Sequence, residues 1–447
     1  MHGSGNIIPS VIFGLDPMWF ASLLFLLTYA VIMSERINRA IVALAAAGLM
    51  IIGGVLNQEA AIRGIDFNTI GLLVGMMVIV AVTRPSGVFQ YLAIWSAKKV
   101  NANPWGILVM LSLVTAVTSA LLDNVTTVLL VTPVALLITE ELKVPAYPYL
   151  FSMILFSNIG GTSTLIGDPP NIMIGSAVGL SFNDFVLNLG PVIVVVMAAT
   201  LIPLYFIWGR RLHAAVEDRN RVMAFNEREA ITDATLLRKC LAIIAVVILG
   251  FVFAHSLELE AATVAMTGAA LLLLITNWGH DAEHQSHQVR HAFFEVEWIT
   301  IFFFVGLFVV VHGLDSTGLL KLLAEQVVEL TGGDLNATAL MILWASAILS
   351  AFVDNIPFVA TMIPLIKAMA PTFGGSEGLM PMWWSLALGA CLGGNGTLIG
   401  ASANLVVSGF AERAGQPIRF VPFLLMAFPL MLLSIAISTV YLYLRYL

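Results

Sequence analysis

Gly160-Gly161-Thr162-Ser163-Thr164-Leu165-Ile166-Gly167-Asp168-Pro169-Pro170-Asn171 returns as Gly393-Gly394-Asn395-Gly396-Thr397-Leu398-Ile399-Gly400-Ala401-Ser402-Ala403-Asn404, with seven of twelve positions identical at a spacing of 233. A nearby spacing, 231, carries Thr69, Gly75 and Gly87 onto Thr300, Gly306 and Gly318. The same spacing carries Ser119-Ala120, Asp123-Asn124 and Pro133 onto Ser350-Ala351, Asp354-Asn355 and Pro364. Two apolar segments can share Leu and Ile by chance, but not aligned Asp-Asn pairs, glycines and prolines over more than sixty residues. The chain is therefore a tandem duplication.

The solvent of the duplicated unit follows from composition. Of 447 residues, 59% are hydrophobic and 11% charged, against about 25% charged in a soluble domain, so the apolar excess needs lipid. Apolar runs occur at about 18–33, 39–56, 69–83, 189–209, 239–255, 261–277, 298–313 and 421–444, close to the roughly 20 helical residues that cross a hydrocarbon core. Two further runs, 106–141 and 340–371, are interrupted midway by the Asp-Asn pairs, and 147–178 and 381–411 are broken by the glycine-rich motif. The formal charge of −7 is spread over short loops, and no basic patch points to nucleic acid. Cys240 and Cys391 are too few for a disulfide framework. Met1 to Pro17 has no basic n-region, so no cleaved signal peptide is expected.

The longest polar segment, 210–239, divides the chain into an N-terminal repeat (1–209, hairpin about 106–141) and a C-terminal repeat (240–447, hairpin about 340–371). The expected fold class is an all-α polytopic membrane protein of two inverted-topology repeats. Each has five membrane crossings, one of them a broken helix, plus one re-entrant helical hairpin. Five is odd, so the repeats lie in opposite orientations. With the linker in the cytoplasm, Arg36, Arg39, Arg84, Lys98, Lys99, Lys143, the seven linker cations, Arg290, Arg413 and Arg419 fall inside, and only Arg63, Lys321, Lys367 and Arg445 fall outside. This positive-inside bias places both termini at the periplasm or exterior of a multi-pass protein of the inner (plasma) membrane.

Asp123 and Asp354 lie in mid-segment, where an unpaired carboxylate costs several kcal/mol. No intramembrane Lys or Arg is available to pair with them, Lys367 falling to the outside, so protons, cations or amides must compensate. Asn124, Thr126, Thr127, Asn355 and Thr361 surround them with hard oxygens of the kind small cations accept. A plainer alternative is that Asp and Asn merely cap helix starts at the hairpin tips. Gly161, Thr162, Thr164, Gly394, Asn395 and Thr397 mark unwound stretches, and non-helical backbone at membrane depth is tolerated only where it is buried in protein or lines a cavity. Asn171 and Asn404 close the two motifs with neutral donors and acceptors. Asp168 has Ala401 as its counterpart, which makes the two gates chemically unequal. Discontinuous helices at matching positions of inverted halves point to a midplane substrate site.

Leu122-Asp123-Asn124-Val125-Thr126-Thr127, the motif from Ile159 to Asn171, Val353-Asp354-Asn355-Ile356-Pro357-Phe358 with Thr361-Met362-Ile363-Pro364, and Gly389 to Asn404 resemble the ion-transporter superfamily. Its members include arsenite permeases, NhaD-type sodium/proton antiporters, divalent anion/sodium symporters and the melanosomal P protein. The second-half motifs are most similar to the P-protein and arsenical-pump-like branch. The resemblance implies a scaffold with a transport core, elevator-type alternating access and a homodimer. It also implies a soluble ATPase partner if arsenite is pumped. Where the carboxylate symporters carry Ser-Asn-Thr in their hairpins, this chain has Asp123 and Asp354, which favours proton or cation coupling over dicarboxylate transport.

The resulting expectation is proton-coupled efflux of arsenite or antimonite, without a cofactor and with H+ as coupling ion. Sodium/proton exchange suits the same acids, with Na+ as the ion; an anion or dicarboxylate transporter suits them less. Two cysteines cannot build a three-thiolate metalloid site, so oxygen ligands must do most of the binding, with Cys391 at best auxiliary. His280, His284, His287 and His291, spaced four, three and four, share one helical face. That spacing can ligate zinc or nickel, and it equally suits an interfacial amphipathic helix. No HExxH or Ser-His arrangement lies within the apolar segments, so an enzyme is not expected.

Overall fold

The structure, a computed structural model, describes residues 11–34 and 36–447. The expectation about a signal peptide falls chiefly on residues 1–10 and lies outside them. The described residues form helices and no strands. Eight helices are long and apolar enough to cross a membrane, and the chain is a polytopic membrane protein.

Each apolar run of the sequence is a helix. The eight plain spans appear as Pro17–Met33, Arg39–Ile52, Phe67–Thr83, Phe182–Leu204 with a π-helical extension Tyr205–Gly209, Ala234–Phe253, Ala261–Asn277, Trp298–Ser316 and Phe420–Arg445. The Asp-Asn segments form helix pairs: Pro104–Leu121 with Asn124–Glu141, and Leu335–Phe352 with Asn355–Ala368. The glycine-rich motifs separate Tyr147–Gly161 from Pro169–Val178, and Met380–Gly393 from Ser402–Arg413.

Shifted by 231, Pro104–Leu121 falls on Leu335–Phe352 end to end, and the shorter helices Val88–Lys99 and Leu319–Leu330 coincide in the same way. Gly87 and Gly318 precede this second pair at φ 80° and 83°, a left-handed backbone that residues with a Cβ adopt only at a cost. The repeated glycines thus set the corner at which each short helix begins.

By packing, the chain forms two compact units, and each takes segments from both sequence halves. One comprises 1–70, 297–338 and 360–380, the other 71–296, 339–359 and 381–447. In the first, Ala46, Ala47 and Met50 pack with Val309, Val310 and Leu314, the two alanines being small enough to let helices approach closely. Arg39 donates to Thr300 Oγ1 at 3.1 Å and lies over the Phe303 ring, so its charge is held by a polar and an aromatic partner. The second unit has its own core, in which Ile107, Leu108 and Leu111 meet Val131, Ala135 and Ile138 across the first hairpin. Outward-facing apolar residues such as Ile202, Val246 and Leu425 are what lipid requires.

Candidate functional site

Both hairpin tips begin as capped helix starts. Asp123, extended at φ −151°, accepts from the Thr126 amide at 2.8 Å. Asp354 accepts from the Ile356 amide at 3.0 Å and from Ser402 Oγ at 3.2 Å. Capping is therefore part of what these acids do, and it satisfies helix-start amides that have no intrahelical acceptor.

The unwound stretches are stitched to the hairpins by matched bonds. Thr164 Oγ1 donates to the Ala120 carbonyl at 2.6 Å, and Thr397 Oγ1 donates to that of Ala351. Ser119 Oγ reaches the Ser157 carbonyl at 2.6 Å, as Ser350 Oγ reaches that of Ala390 at 2.7 Å. Asn171 Nδ2 donates to the carbonyls of Thr162 and Thr164, and Asn404 Nδ2 to those of Gly394 and Thr397, all between 2.8 and 3.0 Å. The freed backbone of each broken helix thus ends on its own asparagine, meeting the requirement that buried carbonyls be paired. A Cβ at Gly160 would lie 2.5 Å from the Ala116 Cα, and one at Gly393 would lie 2.7 Å from the Ala347 Cα. Glycine is what lets broken helix and hairpin touch.

Between these braced walls lies an amide cluster centred on Asn158, a residue the sequence reading did not single out. Asn158 Nδ2 donates to Asn395 Oδ1 and to Asn404 Oδ1, both at 2.9 Å, and its Oδ1 accepts from Asn124 Nδ2 at 3.1 Å. The signal was available: Asn158 is the counterpart of Cys391 at the spacing of 233. Cys391 in turn donates to Asn171 Oδ1 at 3.5 Å and lies against Asp168.

Asp168 is fully buried. Asn355 Nδ2 lies 3.3 and 3.4 Å from its two oxygens, and its charged neighbours are Asp123 and Asp354. Among the described residues no Lys or Arg pairs with it. Asn124 Oδ1 and Thr127 Oγ1 are buried with no hydrogen-bond partner among the described residues.

The fate of the candidate residues is therefore mixed. Asn124, Asn171, Asn395 and Asn404 converge through Asn158 and Cys391, and Asp168 meets Asn355. The hydroxyls of Thr164 and Thr397 are spent on hairpin carbonyls, that of Thr162 on the Asn158 carbonyl, while Thr126 lends its amide to Asp123. Gly161 faces the Gly167 carbonyl and Gly394 that of Gly400. Thr361 belongs to the other unit, where its hydroxyl pairs with Tyr29 at 3.0 Å. The four histidines line a separate cavity of about 460 Å3 beside helix Ala282–Phe294. Among the described residues no three His, Cys, Asp or Glu side chains are grouped to hold a metal ion.

A family model described as "Citrate transporter" matches residues 29–389. An uncharacterized transporter of Mycobacterium tuberculosis is 43% identical over 427 residues, covering 95% of this chain and 97% of the relative. The human P protein is 32% identical over 495 residues, which span 93% of this chain and 58% of that protein. Among solved structures, the crystal structure of the Alcanivorax borkumensis YdaH transporter matches with a TM-score of 0.57 at 13% identity, over 97% of this chain and 99% of that one.

Proposed function

The chain belongs to the citrate transporter family, and on that premise we propose that it is an ion-coupled secondary transporter in which protons drive the movement of a small, uncharged or cation-paired solute. The observation that carries this reading is the first hairpin tip. Asn124 Oδ1 and Thr127 Oγ1 are buried beside Asp123 without a partner among the described residues, and an unpaired buried polar group costs about 1–3 kcal/mol. Such oxygens suit a ligand that arrives with protons or positive charge. Asp168, held by the Asn355 amide, adds a carboxylate that can exchange a proton with that ligand.

Arsenite and antimonite efflux is the first substrate reading. A neutral trivalent hydroxide brings hydroxyl donors to these oxygens and adds no negative charge to a site that already holds Asp123, Asp168 and Asp354. Cys391 supplies one sulfur beside the asparagines. The second reading, favoured by the family's description, is citrate. A free tricarboxylate would bring further negative charge toward these three acids, so citrate suits the site only when protonated or carrying a bound cation. Sodium/proton exchange uses the same acids with Na+ as the moving ion. Elevator-type alternating access is the movement that the family resemblance favours.

The test is flux into proteoliposomes under an imposed proton gradient, with arsenite, antimonite, citrate with and without Mg2+, sodium and chloride compared side by side. Gradient-driven metalloid flux that disappears in Asp168→Asn is the expected result. Citrate flux that needs Mg2+, with no metalloid flux, would select the second reading. No solute moved by the gradient would sink coupled transport altogether.

A further inference from the structure

Away from the hairpins, a cavity of about 260 Å3 opens where helix Asn124–Glu141 ends and helix Phe182–Leu204 runs on into the π-helical turn Tyr205–Gly209. Its walls include Lys143, Tyr147, Trp208, Arg211 and His213. The cations are only partly neutralised. Lys143 Nζ lies 3.4 Å from Asp218 Oδ1, a carboxylate that Arg221 also claims, and among the described residues Arg211 has no acidic partner.

Tyr147 Oη is buried with no hydrogen-bond partner among the described residues. Its ring is fixed edge-on against Trp208 at 5.8 Å and tilted against Phe151 at 5.9 Å. A held phenol without a partner is an unusual thing to bury, and here it stands in the wall of a basic cavity. The π-turn, a form that recurs at functional sites, carries Trp208 into that wall.

The surroundings say what kind of anion fits. Arg210 lies 4.8 Å over the Phe206 ring, the aromatic-plus-cation arrangement of a membrane interface. Along the same helix Ile202 is 61% and Phe206 56% exposed, so the helix that walls the cavity also presents an apolar face to lipid. A basic cavity walled by a helix that also faces lipid suits the headgroup of a phospholipid.

We propose that this cavity binds the phosphodiester headgroup of an anionic phospholipid. Lys143 and Arg211 supply charge, and the Tyr147 hydroxyl donates to a phosphate oxygen. The site is independent of the transported solute.

The full chain in uncharged detergent is titrated with phosphatidylglycerol, phosphatidylcholine and inorganic phosphate, and binding is read by native mass spectrometry and by thermal unfolding. Phosphatidylglycerol is expected to bind and raise the unfolding temperature, and phosphatidylcholine and inorganic phosphate are not. The Lys143→Gln/Arg211→Gln double variant, in side chains outside the packed core, should bind phosphatidylglycerol roughly tenfold more weakly or worse, as the loss of two interfacial cations implies. Tyr147→Phe keeps the ring packing and should weaken it too. Unchanged affinity in both variants overturns the proposal, and so does equal binding of phosphatidylcholine. An equal response to inorganic phosphate alone would make the ligand a soluble phosphate and overturn the lipid assignment. Arg445→Gln, on the last helix, should leave binding intact; a loss there without a loss in the double variant places the lipid elsewhere.

Discussion

Asn158 Nδ2 lies 2.9 Å from Asn404 Oδ1, and the bond joins the broken helix of one repeat to the broken helix of the other. The repeat-equivalent contact runs the opposite way, from the Cys391 thiol to Asn171 Oδ1 at 3.5 Å. Each unwound stretch is thus closed by a donor from the other half.

Asn158→Ala removes the partner of three buried groups at once: Asn124 Nδ2, Asn395 Oδ1 and Asn404 Oδ1. With about 1–3 kcal/mol for each group stranded, the expected loss is well above that of Cys391→Ser, which keeps a donor at its position. Thermal unfolding of the purified protein compares them. A loss for Asn158→Ala no larger than for Cys391→Ser would show that water replaces the missing amide.

Asp123 and Asp354 both cap helices and hold charge, and substitution separates the two roles. Asn is as good an N-cap as Asp, whereas Ala costs about 0.5–2 kcal/mol. Asp123→Asn and Asp354→Asn should therefore keep the unfolding temperature of the parent while abolishing gradient-driven flux, and the alanine variants should lose both. Asparagine variants that still transport under the gradient would reduce these acids to caps.

Gly160→Ala and Gly393→Ala place a methyl group against the backbone of Ala116 and Ala347. Overpacking of this kind costs about 1–3 kcal/mol or more, so folded yield should fall in both. Gly190→Ala, where nothing lies within 4 Å of the added carbon, is the matched control and should behave like the parent. A similar loss in the control would trace the effect to something other than the close approach.

Cysteines introduced at Gly332 and Asn226 should label from opposite faces of sealed vesicles with a membrane-impermeant maleimide, because the linker and the Gly332 loop fall on opposite sides in the inverted arrangement. Labelling from one face would contradict that topology.

Much of the architecture was written in the spacing of apolar residues. All eight plain spans coincide with helices because each is a long uninterrupted run of nonpolar side chains, a signal that lipid leaves unambiguous, although Pro17–Met33, Arg39–Ile52 and Ala261–Asn277 fall short of a full crossing length. Val88–Lys99 and Leu319–Leu330 escaped that reading, since at twelve residues each they are too short to cross and too mixed in polarity to stand out. The roles of Thr164 and Thr397 were also hidden. A threonine in a glycine-rich stretch looks like a ligand until the hairpin carbonyl that takes its hydroxyl is in view. Asn158 is a similar case: inside a buried helix its neighbours come from 237 and 246 residues along the chain, beyond the reach of any local pattern.

That separation matters during biosynthesis. A ribosome adding about 5–20 residues per second finishes Asn158 well before Asn404, which lies 246 residues further on, a delay on the order of 12 to 50 s. Through that interval the nascent first half holds an amide and the Asp168 carboxylate at membrane depth without Asn395, Asn404 or Asn355 to receive them. The first half must therefore wait for its sibling, with its polar groups facing water or the insertion machinery, and the last glycine-rich stretch to be synthesised is the piece that seals the fold.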